Sequence, residues 1–124
     1  MADFRLKPTV GLIPGMTIQF AEGRWTGRSE NEIGDGVAVT DEAFNSIAPL
    51  VLATCPGWTP DHRYGVYELG ATACSELVQA LRLEADRLRE STGEARSKAN
   101  LLHGLANWLE PRCEARQPLS ILGY

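Results

Sequence analysis

Apolar residues recur with a period of two in the first part of the chain and with a helical period in the second. In Met16-Thr17-Ile18-Gln19-Phe20 the alternation puts Met16, Ile18 and Phe20 on one side, which predicts a half-buried strand. Pro14-Gly15 before it signals a turn, so Thr9 to Ile13 reads as an earlier strand or an extended arm. Trp25 to Ile33 is polar and irregular. Gly34-Asp35-Gly36 reads as a second turn, followed by a short strand at Val37-Ala38-Val39. Thr40 then fits a helix N-cap, with Asp41 and Glu42 in the first turn, where carboxylates meet the positive end of the helix dipole. Phe44, Ile47, Ala48 and Val51 follow at helical spacing, and Pro49 within that stripe predicts a kink or a restart. Cys55-Pro56-Gly57 ends the element. Trp58 to Arg63 reads as an exposed loop, and Tyr64 to Leu69 as the best later strand.

The second half is helical in pattern. Cys74, Leu77, Val78, Leu81, Ala85 and Leu88 make one apolar stripe, and Ala95, Leu101, Leu102, Leu105, Ala106 and Leu109 make another that also carries Lys98. Between them, Ser91-Thr92-Gly93-Glu94 matches a capping box, with Ser91 as the cap and Glu94 reaching back to it. A break this tight predicts two antiparallel helices, with Leu81 and Leu105 in their contact. Pro111 is expected to kink or end the second helix, and Leu119-Ser120-Ile121-Leu122 to close the chain as a strand. These elements predict an α+β fold. A small, mostly antiparallel sheet in the N-terminal half packs against a C-terminal antiparallel helical pair, and residues 1–124 form a single domain.

Composition adds little to that outline, but charge does. The 124 residues are 44% hydrophobic and 23% charged, with a net charge of −4, which disfavours nucleic-acid or anionic-membrane binding. From Ala71 onward seven bases balance seven acids, so residues 1–70 carry the whole excess. Between Glu30 and Glu42 there is no base at all, and Glu30, Glu32 and Asp35 form an acidic segment able to steer a basic partner. No apolar run approaches the roughly 20 residues of a membrane span, and the first seven residues hold no apolar stretch like that of a secretory signal. Cys55, Cys74 and Cys113 are odd in number and lack Cys-x-x-Cys spacing. They read as three reduced thiols, which points to the cytoplasm.

No motif frames a catalytic centre. His62 follows Asp61 in a loop, and His103 shares a helix face with Asn100, Asn107 and Glu110, but neither sits in a nucleophile-elbow or metal-ligand pattern. No metal or other cofactor is expected. Recognition has the better signal: Trp58, His62, Arg63 and Tyr64 fall within seven residues, and Trp, Tyr and Arg are the types that dominate binding hot spots. Trp58 has an alternative place, folded back onto the core at the sheet edge. Trp25, beside Arg24 and Arg28, poses the same question, and Trp108 reads as core at the edge of the second helical stripe.

In the second half, Tyr64-Gly65-Val66-Tyr67-Glu68-Leu69 ahead of a helical pair, with Leu119-Ser120-Ile121-Leu122-Gly123 after it, resembles small bacterial proteins. Some of these are similar to immunity proteins of the polymorphic-toxin type. The resemblance implies a compact acidic cytosolic domain that binds and neutralises a basic effector protein. It carries over no individual functional residue. Taken together, the sequence points to a non-catalytic protein-binding module that uses Glu30, Glu32, Asp35, Trp58, His62, Arg63 and Tyr64. The alternatives are a small-molecule or catalytic pocket near His62 or His103, and a structural subunit of a homo-oligomer.

Overall fold

A computed structural model describes residues 4–10, 17–23, 33–60 and 65–123. Five strands, β1 (Lys7–Val10), β2 (Thr17–Gly23), β3 (Ile33–Thr40), β4 (Val66–Leu69) and β5 (Leu119–Gly123), form one antiparallel sheet in the order β1-β3-β2-β5-β4. Four helices, α1 (Asp41–Phe44), α2 (Ala48–Thr54), α3 (Ala71–Arg87) and α4 (Glu94–Glu114), complete the α+β fold. The closing strand β5 is not an edge. It lies between β2 and β4, so the last residues of the fold join its two ends in the sheet.

The two long helices follow their stripes. Cys74, Leu77, Val78, Leu81 and Ala85 of α3 are buried, as are Leu101, Leu102, Leu105, Ala106 and Leu109 of α4. Lys98 pairs with Glu94 one turn away at 3.6 Å, a contact of small energetic weight at this exposure. The buried side chains of α3 and α4 join Ile18, Phe20, Val37, Val39, Phe44, Leu119 and Ile121 in one core cluster. Thr40 caps α1 as its sequence predicts, its Oγ1 accepting from the Ala43 amide at 3.1 Å. The helix then breaks and restarts with Pro49 in the first turn of α2, the one part of a helix where a missing N–H costs nothing.

Five expectations need correction. The Gly34-Asp35-Gly36 run is not a turn but lies in the first half of β3, where Asp35 and Gly36 pair with β1 and Gly36 also pairs with β2 beside an irregularity in that register. Gly36 is required there by close approach: a Cβ would overlap the Phe20 carbonyl oxygen and come within 3.0 Å of both Ala21 Cα and Thr9 Oγ1. The polar side of β2 is not solvated either. Gln19 and Ala21 are as buried as Ile18 and Phe20, and the same face carries Ala38, Ser120 and Leu122, also buried. A central strand tolerates this because its side chains there are small, or paired as Gln19 is by donating to Thr9 Oγ1 at 3.0 Å. Ser91 does not cap α4. Its amide closes instead on the Leu88 carbonyl at the end of α3, and Gly93 becomes the N-cap at φ 63°, a left-handed conformation that glycine adopts without a Cβ penalty. Pro111 does not end the helix, which runs on to Glu114 with the proline on its exposed side.

The fifth correction concerns the cysteines. Cys74 and Cys113 form a disulfide between the start of α3 and the end of α4, with a Cα–Cα distance of 5.9 Å. Only Cys55 remains a thiol, and it is buried. Antiparallel packing of two helices brings residues 39 apart in sequence to the same end of the pair, which spacing along the chain does not reveal.

Candidate binding surface

The residues picked out for recognition lie in different places. Glu30, Glu32, His62, Arg63 and Tyr64 fall outside the described residues, as do Trp25 and Met16. Asp35 is exposed on β3. Trp58 is only 3% exposed and packs edge to face with Phe44, with ring centroids 6.0 Å apart and the planes at 63°. It therefore takes the folded-back position and does not project as an anchor. Its indole Nε1 is sealed from solvent and has no acceptor among the described residues.

Trp58 instead helps to wall a cavity. Together with Asn45, Ala48, Pro49, Leu52 and Pro60 it lines an open space of about 280 Å³ beside α2. The local sequence explains the shape. The break between α1 and α2 at Asn45-Ser46-Ile47 and the turn at Pro56-Gly57 bring the two ends of α2 round toward Trp58, and Gly57 takes φ 78° to make that turn. Leu52, on the rim, is 55% exposed on a helix whose inner side holds the fully buried Val51. Among the described lining residues Asn45 and the buried indole N–H of Trp58 supply the polar groups, so that part of the wall offers mainly apolar contact.

A second cavity, of about 300 Å³, shares Asn45 and Pro49 with the first and lies toward the α3–α4 turn. Its charged members, Glu84, Arg87 and Lys98, are engaged within the molecule. Arg87 is bonded to Glu84, Lys98 lies 3.6 Å from Glu94, and the Lys98 ammonium also sits over the Phe4 ring at 5.9 Å. The polar face of α4 is similarly spent. Arg82 of α3 donates to Asn107 at 3.1 Å and pairs with Glu110 at 3.1 Å, which ties the two helices together across their outer side. His103 and Asn100 are exposed on the same helix, and neither lines the cavities described above. Trp108 is part-buried beneath the Arg112 guanidinium, 4.0 Å above its ring, and Arg112 in turn donates to Glu22 at 2.9 Å. Glu22 is thus held by an internal ion pair.

The one free thiol belongs to this region too. Cys55 closes α2, its Sγ 3.6 Å from Thr54 Oγ1, and burial pushes its pKa above the usual 9.0. A thiol held protonated in this way is a poor nucleophile. Tyr67 of β4 reaches the same turn, donating to the Pro56 carbonyl at 2.7 Å. Among the described residues no group of three or more His, Cys, Asp or Glu is placed to hold a metal ion, and no helix is long and apolar enough to cross a membrane. No family model, no curated protein and no solved structure matches the chain.

Proposed function

We propose that the protein is a non-catalytic binding module that takes an apolar side chain of a partner protein into the cavity beside α2. The observation that carries this is the cavity itself: a carbon-lined opening between Pro49, Leu52, Trp58 and Pro60, with Leu52 more than half exposed on its rim. Rigid walls of this kind, already packed against the core through Phe44, lose little side-chain freedom when a partner arrives. The partner is basic, in the manner of an effector neutralised by an immunity protein. Supporting that are the base-free acidic stretch from Glu30 to Glu42 and the resemblance in the second half of the chain.

The cytoplasmic expectation draws partly on three reduced thiols, and the Cys74–Cys113 disulfide removes that support. Such bonds form and persist chiefly in oxidising compartments, so the protein is proposed to work in one.

The test begins with affinity capture on the parent protein, identification of the retained protein by mass spectrometry, and kinetics with the purified pair. Leu52→Asp places a charge on the rim without touching the core. It is expected to shorten the complex lifetime by a hot-spot penalty of about 2 kcal/mol, roughly thirtyfold in dissociation constant. An unchanged dissociation rate for this variant sinks the assignment of the cavity.

A further inference from the structure

A third cavity, of about 360 Å³, lies at the other end of the helical pair and has two walls. Residues 68–71 make one, where β4 passes into α3, and residues 116–119 make the other, where α4 passes into β5. Two fasteners hold these walls together. On the sheet side, Leu69 and Leu119 are partners in the β4–β5 pairing. On the helix side the fastener is the Cys74–Cys113 disulfide. Each half-cystine is hydrogen-bonded directly into its own wall: the Cys74 amide donates to the Gly70 carbonyl at 2.8 Å, and the Cys113 carbonyl accepts from the Arg116 amide at 3.0 Å. Movement of either sulfur is therefore transmitted to the cavity through a single backbone contact.

We infer that the Cys74–Cys113 disulfide is a redox-operated clamp on this cavity, closed when oxidised and released by a dithiol reductant. The two sulfurs differ in access, because Cys74 is fully buried whereas Cys113 is only part-buried. A thiolate of the reductant attacks Cys113 Sγ, the Cys74–Cys113 bond breaks, and Cys74 leaves as a thiolate that takes up a proton. The second thiol of the reductant then displaces Cys113 and closes its own disulfide. Two electrons and two protons pass to the protein, leaving two cysteine thiols. Cys55 is buried at the end of α2 and is not needed for the exchange. Once released, the disulfide no longer holds the walls, which are left to the Leu69–Leu119 pairing and to the packing of α3 against α4 farther along the pair. At α4's end, Arg116 is held at φ 54°, an unfavourable conformation for a residue with a Cβ, and it is free to relax.

Hydrogen exchange followed by mass spectrometry, on the full chain with and without dithiothreitol, tests the clamp. Reduction is expected to speed exchange in residues 70–74 and 113–119 about tenfold more than in the β2–β3 pairing, which reports only the global loss of stability. The Cys74→Ser/Cys113→Ser variant should show the reduced pattern from the start and gain nothing from the reductant. If that variant does not fold, the comparison on the native chain stands alone. Unchanged exchange at both walls overturns the clamp, and so does uniform acceleration over α3 and α4, which would mark the bond as a general staple of the helical pair. Three titratable thiols in the unreduced protein would overturn it as well.

Discussion

Gly36 and Cys55 show how much a single position can depend on its neighbours. Glycine inside a strand weakens it by itself, yet at Gly36 the neighbouring strands come so close that no side chain fits. Gly36→Ala is expected to lower stability by about 1–3 kcal/mol, as overpacking does, whereas Gly65→Ala, where a Cβ meets nothing within 4 Å, should be nearly neutral. Urea midpoints for the two variants check this, and equal midpoints would show that the sheet adjusts around residue 36. At Cys55 the consequence is in pH. Burial raises the thiol above 9.0, and burial likewise raises Tyr67 above 10.0. Because the folded state keeps these protons longer than the unfolded chain, the stabilisation is whole below about pH 9 and is lost as pH rises through the folded values. Urea midpoints should therefore fall as pH rises above about 9, and Cys55→Ala should flatten the first part of that decline. A parent midpoint that stays level over this range would contradict the burial of the thiol.

Among the elements, the α3–α4 pair is the best fastened. It is closed at one end by the turn at residues 88–93 and at the other by the disulfide, with Arg82, Asn107 and Glu110 bonded across its outer side. Denatured but unreduced protein should titrate one thiol per chain, from Cys55, and reduced protein three. Removing the bond should cost about 2–4 kcal/mol, chiefly by freeing the unfolded chain between residues 74 and 113. Thiol titration and urea unfolding of Cys74→Ser/Cys113→Ser measure the two quantities, and three thiols without reductant would refute the pairing. The α1–α2 break is the weaker element. Only Val51 of α2 is fully buried, which leaves Leu52 and its neighbours to form the cavity wall.

For the molecule as a whole, charge and cavity should contribute separately to binding. Acids away from the contact act on the approach of a basic partner, and contacts in the cavity act on its departure. Reversing Glu30, Glu32 and Asp35 to lysine is expected to slow association and to flatten its dependence on salt, with screening over about 10 Å at 0.1 M. The dissociation rate should hardly change. Glu22 does not belong in that variant because it pairs with Arg112, and Asp41 and Glu42 do not because they begin α1. Surface plasmon resonance at two salt concentrations separates the effects. Association of the lysine variant at the parental rate would remove the acidic segment from the binding mechanism.

What the amino-acid sequence determined by itself was local. The stripes at Cys74–Ala85 and Leu101–Leu109, the cap at Thr40 and the β5 strand are set by residues one to four positions apart, and neighbours at that distance fix helical or extended backbone directly. The α+β class followed from counting those elements. The tertiary structure decided where distant segments meet. It placed β5 in the sheet between β2 and β4, buried both faces of β2, and drew Gly34-Asp35-Gly36 into a strand between two partners. It turned Trp58 from a projecting anchor into a wall, because Phe44, fourteen residues earlier, offers its ring an apolar bed. The disulfide stood between these two cases. Both helices and their antiparallel arrangement were legible, and they bring the two ends of the pair together. The pairing itself needed the helices' rotation about their axes, which long-range packing sets and no short window of sequence contains.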